Sequence, residues 1–194
     1  MSDLLETDGE RLLTAVRTLL ERKGVVSAAE IAERRAATDS ASPGQGAKMV
    51  AKAWTDPAYR DLMLSDGTKA AEALNIPMRG MPPLGVLENT PALHNLVVCT
   101  LCSCYPRAVL GYPPFWYKSA AYRARAVRDP RELLASEWKT VIPDTVKLRV
   151  VDSTADYRWM VLPMRPPGTE GWDEARLASI VREGDMIGVT IPSV

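Results

Sequence analysis

Val98-Cys99-Thr100-Leu101-Cys102-Ser103-Cys104-Tyr105 holds every cysteine of a 194-residue chain. The Cys-x-x-Cys spacing sets two thiolates on one side of a tight turn, and Cys-x-Cys leaves only Ser103 between the second and third sulfurs. Two side chains one residue apart close on a metal ion when the backbone nitrogens between them face it too. The segment therefore reads as a claw. The sulfurs of Cys99, Cys102 and Cys104 join the main-chain nitrogens of Ser103 and Cys104, giving five donors and leaving one position open. A structural zinc site asks for four closed side-chain ligands, commonly as two separated pairs, and this chain has no second pair. A thiolate-rich site of low symmetry suits a redox-capable transition metal better. Two plainer readings stand beside it: a zinc site completed by His94, the only histidine, or buried thiols acting as small hydrophobes.

Outward from the claw, Leu96 to Cys99 and Leu84 to Leu87 are short apolar runs that read as extended, so the claw follows a strand on a loop. Residues 77–83, with Pro77, Gly80, Pro82 and Pro83, form a loop. Further upstream, residues 10–23 carry Leu12, Leu13, Val16, Leu19 and Leu20 at helical spacing, with Gly24 as the stop. Ser27-Ala28-Ala29-Glu30 has the form of a capping box opening a second helix through Arg35. Residues 38–46 are a run of small residues that reads as a linker. Residues 47–54 then look helical, Asp56-Pro57 starts a further helix, and Asp66-Gly67 interrupts it before residues 68–74.

Downstream, Tyr112-Pro113-Pro114-Phe115-Trp116-Tyr117 is an aromatic turn of the packing-corner type. Arg123, Arg125, Arg128 and Arg131 follow on a helix interrupted by Pro130, as a solvated or subunit-facing surface. Residues 146–151 alternate as a half-buried strand, residues 157–162 form another, residues 172–183 a helix and residues 186–191 a last strand. Helices and strands without regular alternation predict an α+β fold. The expected organisation is an N-terminal helical arm with its linker over 1–46 and a metal-binding catalytic α+β domain over 47–194.

Lys+Arg 24 balances Asp+Glu 24, which leaves no basic field for nucleic acid. No run of eighteen apolar residues marks a membrane span, and the acidic N-terminus is unlike a secretory leader. A cytoplasmic setting is the expectation, consistent with clustered thiols serving metal or catalysis rather than disulfides.

The claw, Cys99-Thr100-Leu101-Cys102-Ser103-Cys104, resembles that of the nitrile hydratase alpha subunit. So do Ala53-Trp54-Thr55-Asp56-Pro57, Glu88-Asn89-Thr90, His94-Asn95-Leu96-Val97-Val98, Pro113-Pro114-Phe115-Trp116-Tyr117-Lys118 and Gly168-Thr169-Glu170-Gly171-Trp172. The likeness covers residues 47–191. It implies hydration of a small nitrile to its amide at a trivalent metal. The implied ligands are Cys99, Cys102, Ser103 and Cys104. Cys102 would be oxidised to sulfinate and Cys104 to sulfenate, with Cys102, Ser103 and Cys104 as the catalytic set. Metal-held thiolates near solvent are the ones that climb the oxidation ladder. Thr100 matches the cobalt branch, where the iron branch has serine, so the metal implied is Co(III) rather than Fe(III). The implied partners are a beta subunit, or a beta function split over two small chains as in toyocamycin nitrile hydratase, and an activator protein for cobalt loading. The helical arm would embrace the beta subunit. Asp152, Ser153 and Arg158 match residues kept near the claw and the subunit interface, with an ordinary surface ion pair as the plainer reading. Trp116 and Tyr117 would support the claw by packing, and His94 would be a structural hydrogen-bonding residue.

Two positions depart from the family pattern. Arg107 stands where many nitrile hydratases have a pocket tryptophan, and the only glutamine, Gln45, lies outside the segment before Glu88-Asn89-Thr90. An arginine after Cys104-Tyr105-Pro106 resembles the gamma subunit of thiocyanate hydrolase, which converts thiocyanate to carbonyl sulfide and ammonia. That enzyme is the alternative function, and a non-catalytic zinc-binding scaffold subunit is a second.

Overall fold

Short local signals set the helices, and two parallel strand pairs set the site. The computed structural model describes residues 2–194, in two compact units whose boundary falls between Ser40 and Ala41. The first unit is α1 (Ser2–Arg22) and α2 (Ala28–Ser40). Helix α1 stops at Gly24, whose φ of +65° lets Val25 N–H reach the Leu20 carbonyl at 3.0 Å. The capping box forms as the sequence predicts. Glu30 N–H donates to Ser27 Oγ at 3.2 Å, and Ser27 N–H donates to the Glu30 carboxylate at 2.8 Å. Leu12, Leu13, Val16 and Leu19 on α1 are all exposed.

The second unit begins with a difference from the sequence reading. The boundary between the units falls within residues 38–46, but most of that stretch is helical rather than irregular. Helix α2 runs to Ser40 and α3 (Pro43–Thr55) begins after two intervening residues, with Pro43 at a first-turn position whose missing N–H costs nothing. The small residues serve packing instead: a Cβ on Gly46 would sit 2.6 Å from Leu110 and 2.7 Å from Met186. Helix α3 buries Met49, Val50, Ala51 and Ala53. Asp56 caps α4 (Pro57–Ser65) by accepting from Tyr59 N–H, and Asp66 caps α5 (Gly67–Ala73) by accepting from Lys69 N–H.

Strands β1 (Leu84–Glu88) and β2 (Leu93–Val98) follow, then the claw loop and four helices: α6 (Arg107–Leu110), α7 (Phe115–Lys118), α8 (Ala120–Arg128) and α9 (Pro130–Trp138). Strands β3 (Lys147–Asp152) and β4 (Arg158–Leu162) pair back across this insertion. β1 lies parallel to β4, and β2 lies parallel to β3 with Val98 opposite Asp152. Parallel pairing puts the C-terminal ends of β2 and β3 side by side, where open sheets place ligands.

The C-terminal segment gives a second correction. Residues 172–183 hold only α10 (Glu174–Ser179), opened by Asp173 accepting from Arg176 N–H. The apolar run 186–191 is not a strand: α11 (Glu183–Ile187) covers its start and ends at Gly188. The reason is local. Asp185 accepts from Arg182 N–H at 2.7 Å, which caps a helical turn, and Gly188 at φ +88° terminates it. The fold is α+β, with the claw on a loop after a strand.

Candidate metal centre

The claw loop leaves β2 at Val98, and its base is tied to β3. Ser153 N–H donates to the Val98 carbonyl at 2.7 Å, continuing the ladder one step past the strands. Asp152 then grips the first loop residue with both oxygens, one accepting from Thr100 N–H at 3.0 Å and the other from Thr100 Oγ1. Asp152 is thus committed to the loop, and no ion pair joins it to Arg158 among the described residues. Beneath the loop, the Tyr117 hydroxyl donates to the Cys104 carbonyl at 2.9 Å, and the Tyr122 hydroxyl donates to the Val97 carbonyl at 2.6 Å. Trp116 packs edge to face on Tyr117, Tyr122 and Trp138, with centroids of 5.0 Å for Trp116–Tyr122 and 5.1 Å for Trp116–Trp138. Trp116 acts through packing, whereas Tyr117 touches the claw backbone itself.

Within the loop the three Sγ atoms all lie within 4.8 Å of one another. Cys99 and Cys102 sulfurs are 3.5 Å apart, and those of Cys102 and Cys104 3.1 Å. Cys99 and Cys104 are buried while Cys102 is exposed. Hydrogen bonds from the Cys104 and Cys99 thiols, then from the Ser103 amide, hold Cys102 below the usual thiol range. Burial, reinforced by the neighbouring sulfurs, pushes Cys104 up to about 12, against the opposing field of Arg158. Cys102 and Cys104 are thus shifted in opposite directions. The Ser103 and Cys104 amides add to the lowering at Cys102, and the three sulfurs share one space. This donor set fits a thiophilic transition metal.

Ser103 is exposed at the loop surface. Ser153 is buried, and its hydroxyl accepts from Trp159 N–H at 3.1 Å. Arg107 opens α6, with its guanidinium 4.3 Å above the Tyr112 ring. Arg107 and Arg158 line one cavity of about 170 Å3 together with Tyr105, Met78, Met81 and Leu84. Arg158 Nη1 is buried there without a partner.

His94 is absent from the cluster. Its Nδ1 meets the Asn89 amide at 3.2 Å and its Nε2 the Gly188 carbonyl at 2.7 Å, which fixes the neutral tautomer with the proton on Nε2. Both nitrogens are occupied, so a fourth zinc ligand is not available from it. Sequence reasoning missed Tyr122, and it placed Arg123 on a solvated or subunit-facing surface. Arg123 Nη1 in fact donates to the Leu101 carbonyl at 3.2 Å, and its Nε is buried without a partner. Nothing local in the sequence separates Arg123 from its neighbouring arginines, because the contact crosses from α8 to the claw.

Comparisons with known proteins agree with this geometry. The family described as nitrile hydratase, alpha chain, matches residues 7–190. The low-molecular weight cobalt-containing nitrile hydratase subunit alpha of Rhodococcus rhodochrous is 46% identical over 180 residues, 92% of this chain and 86% of that one. The thiocyanate hydrolase subunit gamma of Thiobacillus thioparus is 43% identical over 197 residues, 96% of this chain and 81% of that one. Among solved structures, a double mutant of the Fe-type nitrile hydratase from Comamonas testosteroni Ni1 superposes with a TM-score of 0.80 at 41% identity, covering 96% of this chain and 91% of that one. With the family matched along almost its whole length and its cysteines converging on one point, this chain belongs to the nitrile hydratase alpha chain family.

Proposed function

We propose that this chain is the metal-carrying alpha subunit of a cobalt nitrile hydratase, converting a small nitrile to its amide. The observation that carries the reading is the convergence of three sulfurs within one loop. Cys99, Cys102 and Cys104 would hold the ion through sulfur, and Ser103 and Cys104 through their main-chain nitrogens. A bound Co(III) supplies a Lewis acid with an open position.

The chain's own residues do the rest. Cys102, the exposed sulfur, would take up both oxygen atoms of one dioxygen molecule to become the sulfinate. Cys104, buried, would stop at the sulfenate. Its oxygen would take the proton of the water that attacks the nitrile carbon, or attack that carbon itself, its S–O bond then breaking as water returns an oxygen to the sulfur. Asp152 and Tyr117 hold the loop against β3 and α7 so that these atoms keep their places. Cobalt is favoured over iron by the cobalt-containing relative and by Thr100. The reading includes a beta-type partner, an activator protein for metal loading, and a cytoplasmic setting. No helix among the described residues is long and apolar enough to cross a membrane.

One observation favours a second reading, the catalytic gamma-type subunit of a thiocyanate hydrolase. Arg107 and Arg158 place two cations on the cavity beside Tyr105, which suits an anionic substrate. A single experiment separates the readings. The chain is co-expressed with its partner subunits, its metal content is measured, the tryptic peptide of residues 80–107 is weighed, and turnover of propionitrile is compared with that of thiocyanate. Cobalt, three added oxygens and amide formation support the nitrile hydratase. Thiocyanate turnover without nitrile turnover moves the assignment to the hydrolase. Zinc with unmodified thiols after co-expression leaves the non-catalytic scaffold.

A further inference from the structure

The peptide unit between Leu101 and Cys102 makes two hydrogen bonds that point in opposite directions. Its carbonyl accepts from Arg123 Nη1 at 3.2 Å, and its N–H donates to Cys99 Sγ at 3.2 Å. No peptide bond among the described residues is cis, and in a trans peptide the C=O and N–H vectors are antiparallel. Holding the carbonyl on one side therefore aims the N–H to the other. Leu101 itself is 88% exposed, so its own side chain gives the turn no anchor.

We propose that Arg123 is a positioning residue of the claw. By holding the Leu101 carbonyl it turns the Cys102 amide onto the Cys99 sulfur, and so fixes both the loop conformation and the electron density of that ligand. Several observations set Arg123 apart from the other arginines of its region. Arg125 is engaged by Asp129 and Glu137, and Arg131 by the carbonyls of Ile142, Pro143 and Val146. Among the described residues, Arg123 has no carboxylate partner, and the Leu101 carbonyl is its one hydrogen-bond acceptor. Its predecessor Tyr122 holds the Val97 carbonyl at the loop's base, so consecutive residues of α8 clasp the strand end and the loop tip. A charged donor on a peptide carbonyl is stronger than a neutral one and polarises the N–H it aims. An N–H bonded to a thiolate withdraws charge from it and tunes what it offers a metal.

The inference rests on the metal-site reading for its consequence, while its geometry is testable without metal. In the full chain free of metal, amide hydrogen exchange of Cys102 is followed by NMR in the natural sequence, Arg123→Gln and Arg123→Lys, with the β2 amides as an internal reference. Loss of the clamp should raise Cys102 exchange about tenfold in the glutamine variant, with β2 unchanged. Lysine, which keeps the charge but not the fork, should restore part of it. In the cobalt-loaded complex with the partner subunit, the glutamine variant should release cobalt to a chelator about tenfold faster and shift the sulfur-to-cobalt absorption band. Unchanged Cys102 exchange in a folded variant overturns the proposal. So does an unchanged release rate in a variant that binds cobalt. Failure of every form of the chain to bind cobalt would instead overturn the metal reading, and the exchange measurement would still decide the role of Arg123.

Discussion

Strand β2 carries a polar cluster at each end, and the two are built on opposite principles. At the start, His94, Asn89, Asn95, Arg149 and the Gly188 carbonyl form a closed network. Asn89 Oδ1 accepts from Asn95 N–H at 2.8 Å, Asn95 Nδ2 donates to the Glu88 carbonyl at 2.7 Å, and Arg149 Nε donates to Asn95 Oδ1 at 2.7 Å. Past the other end, the claw leaves three thiols sharing protons among themselves and two buried arginine nitrogens, on Arg123 and Arg158, without a partner. A satisfied buried network specifies a fold. Unsatisfied buried donors mark a place arranged for something else. The difference separates a histidine that holds structure from cysteines that hold chemistry, although both occur within one short run of sequence.

The contrast can be broken most severely at the claw. Cys102→Ala or Cys104→Ala in the assembled enzyme should lower turnover by at least about 100-fold, the upper range for losing mere supporting groups of a metal site. Near-ultraviolet circular dichroism should stay native, and retained turnover would remove both sulfurs from the mechanism. The closed network predicts the reverse pattern. Gly188→Ala puts a Cβ 1.9 Å from the Asn95 carbonyl oxygen at a φ of +88°, and should cost about 4 kcal/mol or more, read by denaturant unfolding. His94→Ala leaves the Asn89 amide and the Gly188 carbonyl unpaired and should cost about 2–4 kcal/mol, with metal binding preserved in the fraction that folds.

A pH titration sharpens the same contrast. Burial lowers the His94 pKa below its ordinary 6.5, so the unfolded chain takes up a proton that the native chain refuses. This part of stability is complete above about pH 6.5 and is lost as pH falls from there toward the native pKa. His94→Gln should flatten that slope in unfolding experiments between pH 7 and 5, and an unchanged slope would assign it elsewhere. The smallest effect belongs to Thr100→Ser. Serine keeps the hydroxyl that Asp152 accepts, so metal content and turnover should change by less than about twofold. A switch from cobalt to iron would show that the threonine methyl selects the metal.

The claw was legible because its chemistry is local: three thiols within six residues converge wherever the loop goes. The aspartate cap at Asp56 was legible for the same reason, satisfying an amide three residues on, whereas Asp66 read only as an interruption and in fact caps α5. The segment 186–191 was misread as a strand because a short buried apolar run looks alike in a helical turn and a strand. The cap at Asp185 and the stop at Gly188 were the signals that decided it. Residues 38–46 misled through composition, since small residues also serve close helix packing, as Gly46 does against Leu110 and Met186. Arg123 and Tyr122 were out of reach, because their roles depend on α8 crossing beneath a loop more than twenty residues earlier.

The parallel pairing of β2 with β3 also sets an order of events in time. Asp152, which secures the first residue of the claw, lies 52 positions after Thr100. At ordinary rates of synthesis those residues take roughly 3–10 s to be added. Through that interval the nascent chain carries three adjacent reduced sulfurs and no strand to brace them. The braced sulfur cluster comes into being only once the distant half of the chain has arrived, so a cation that meets the sulfurs in their final arrangement meets a chain that has already folded.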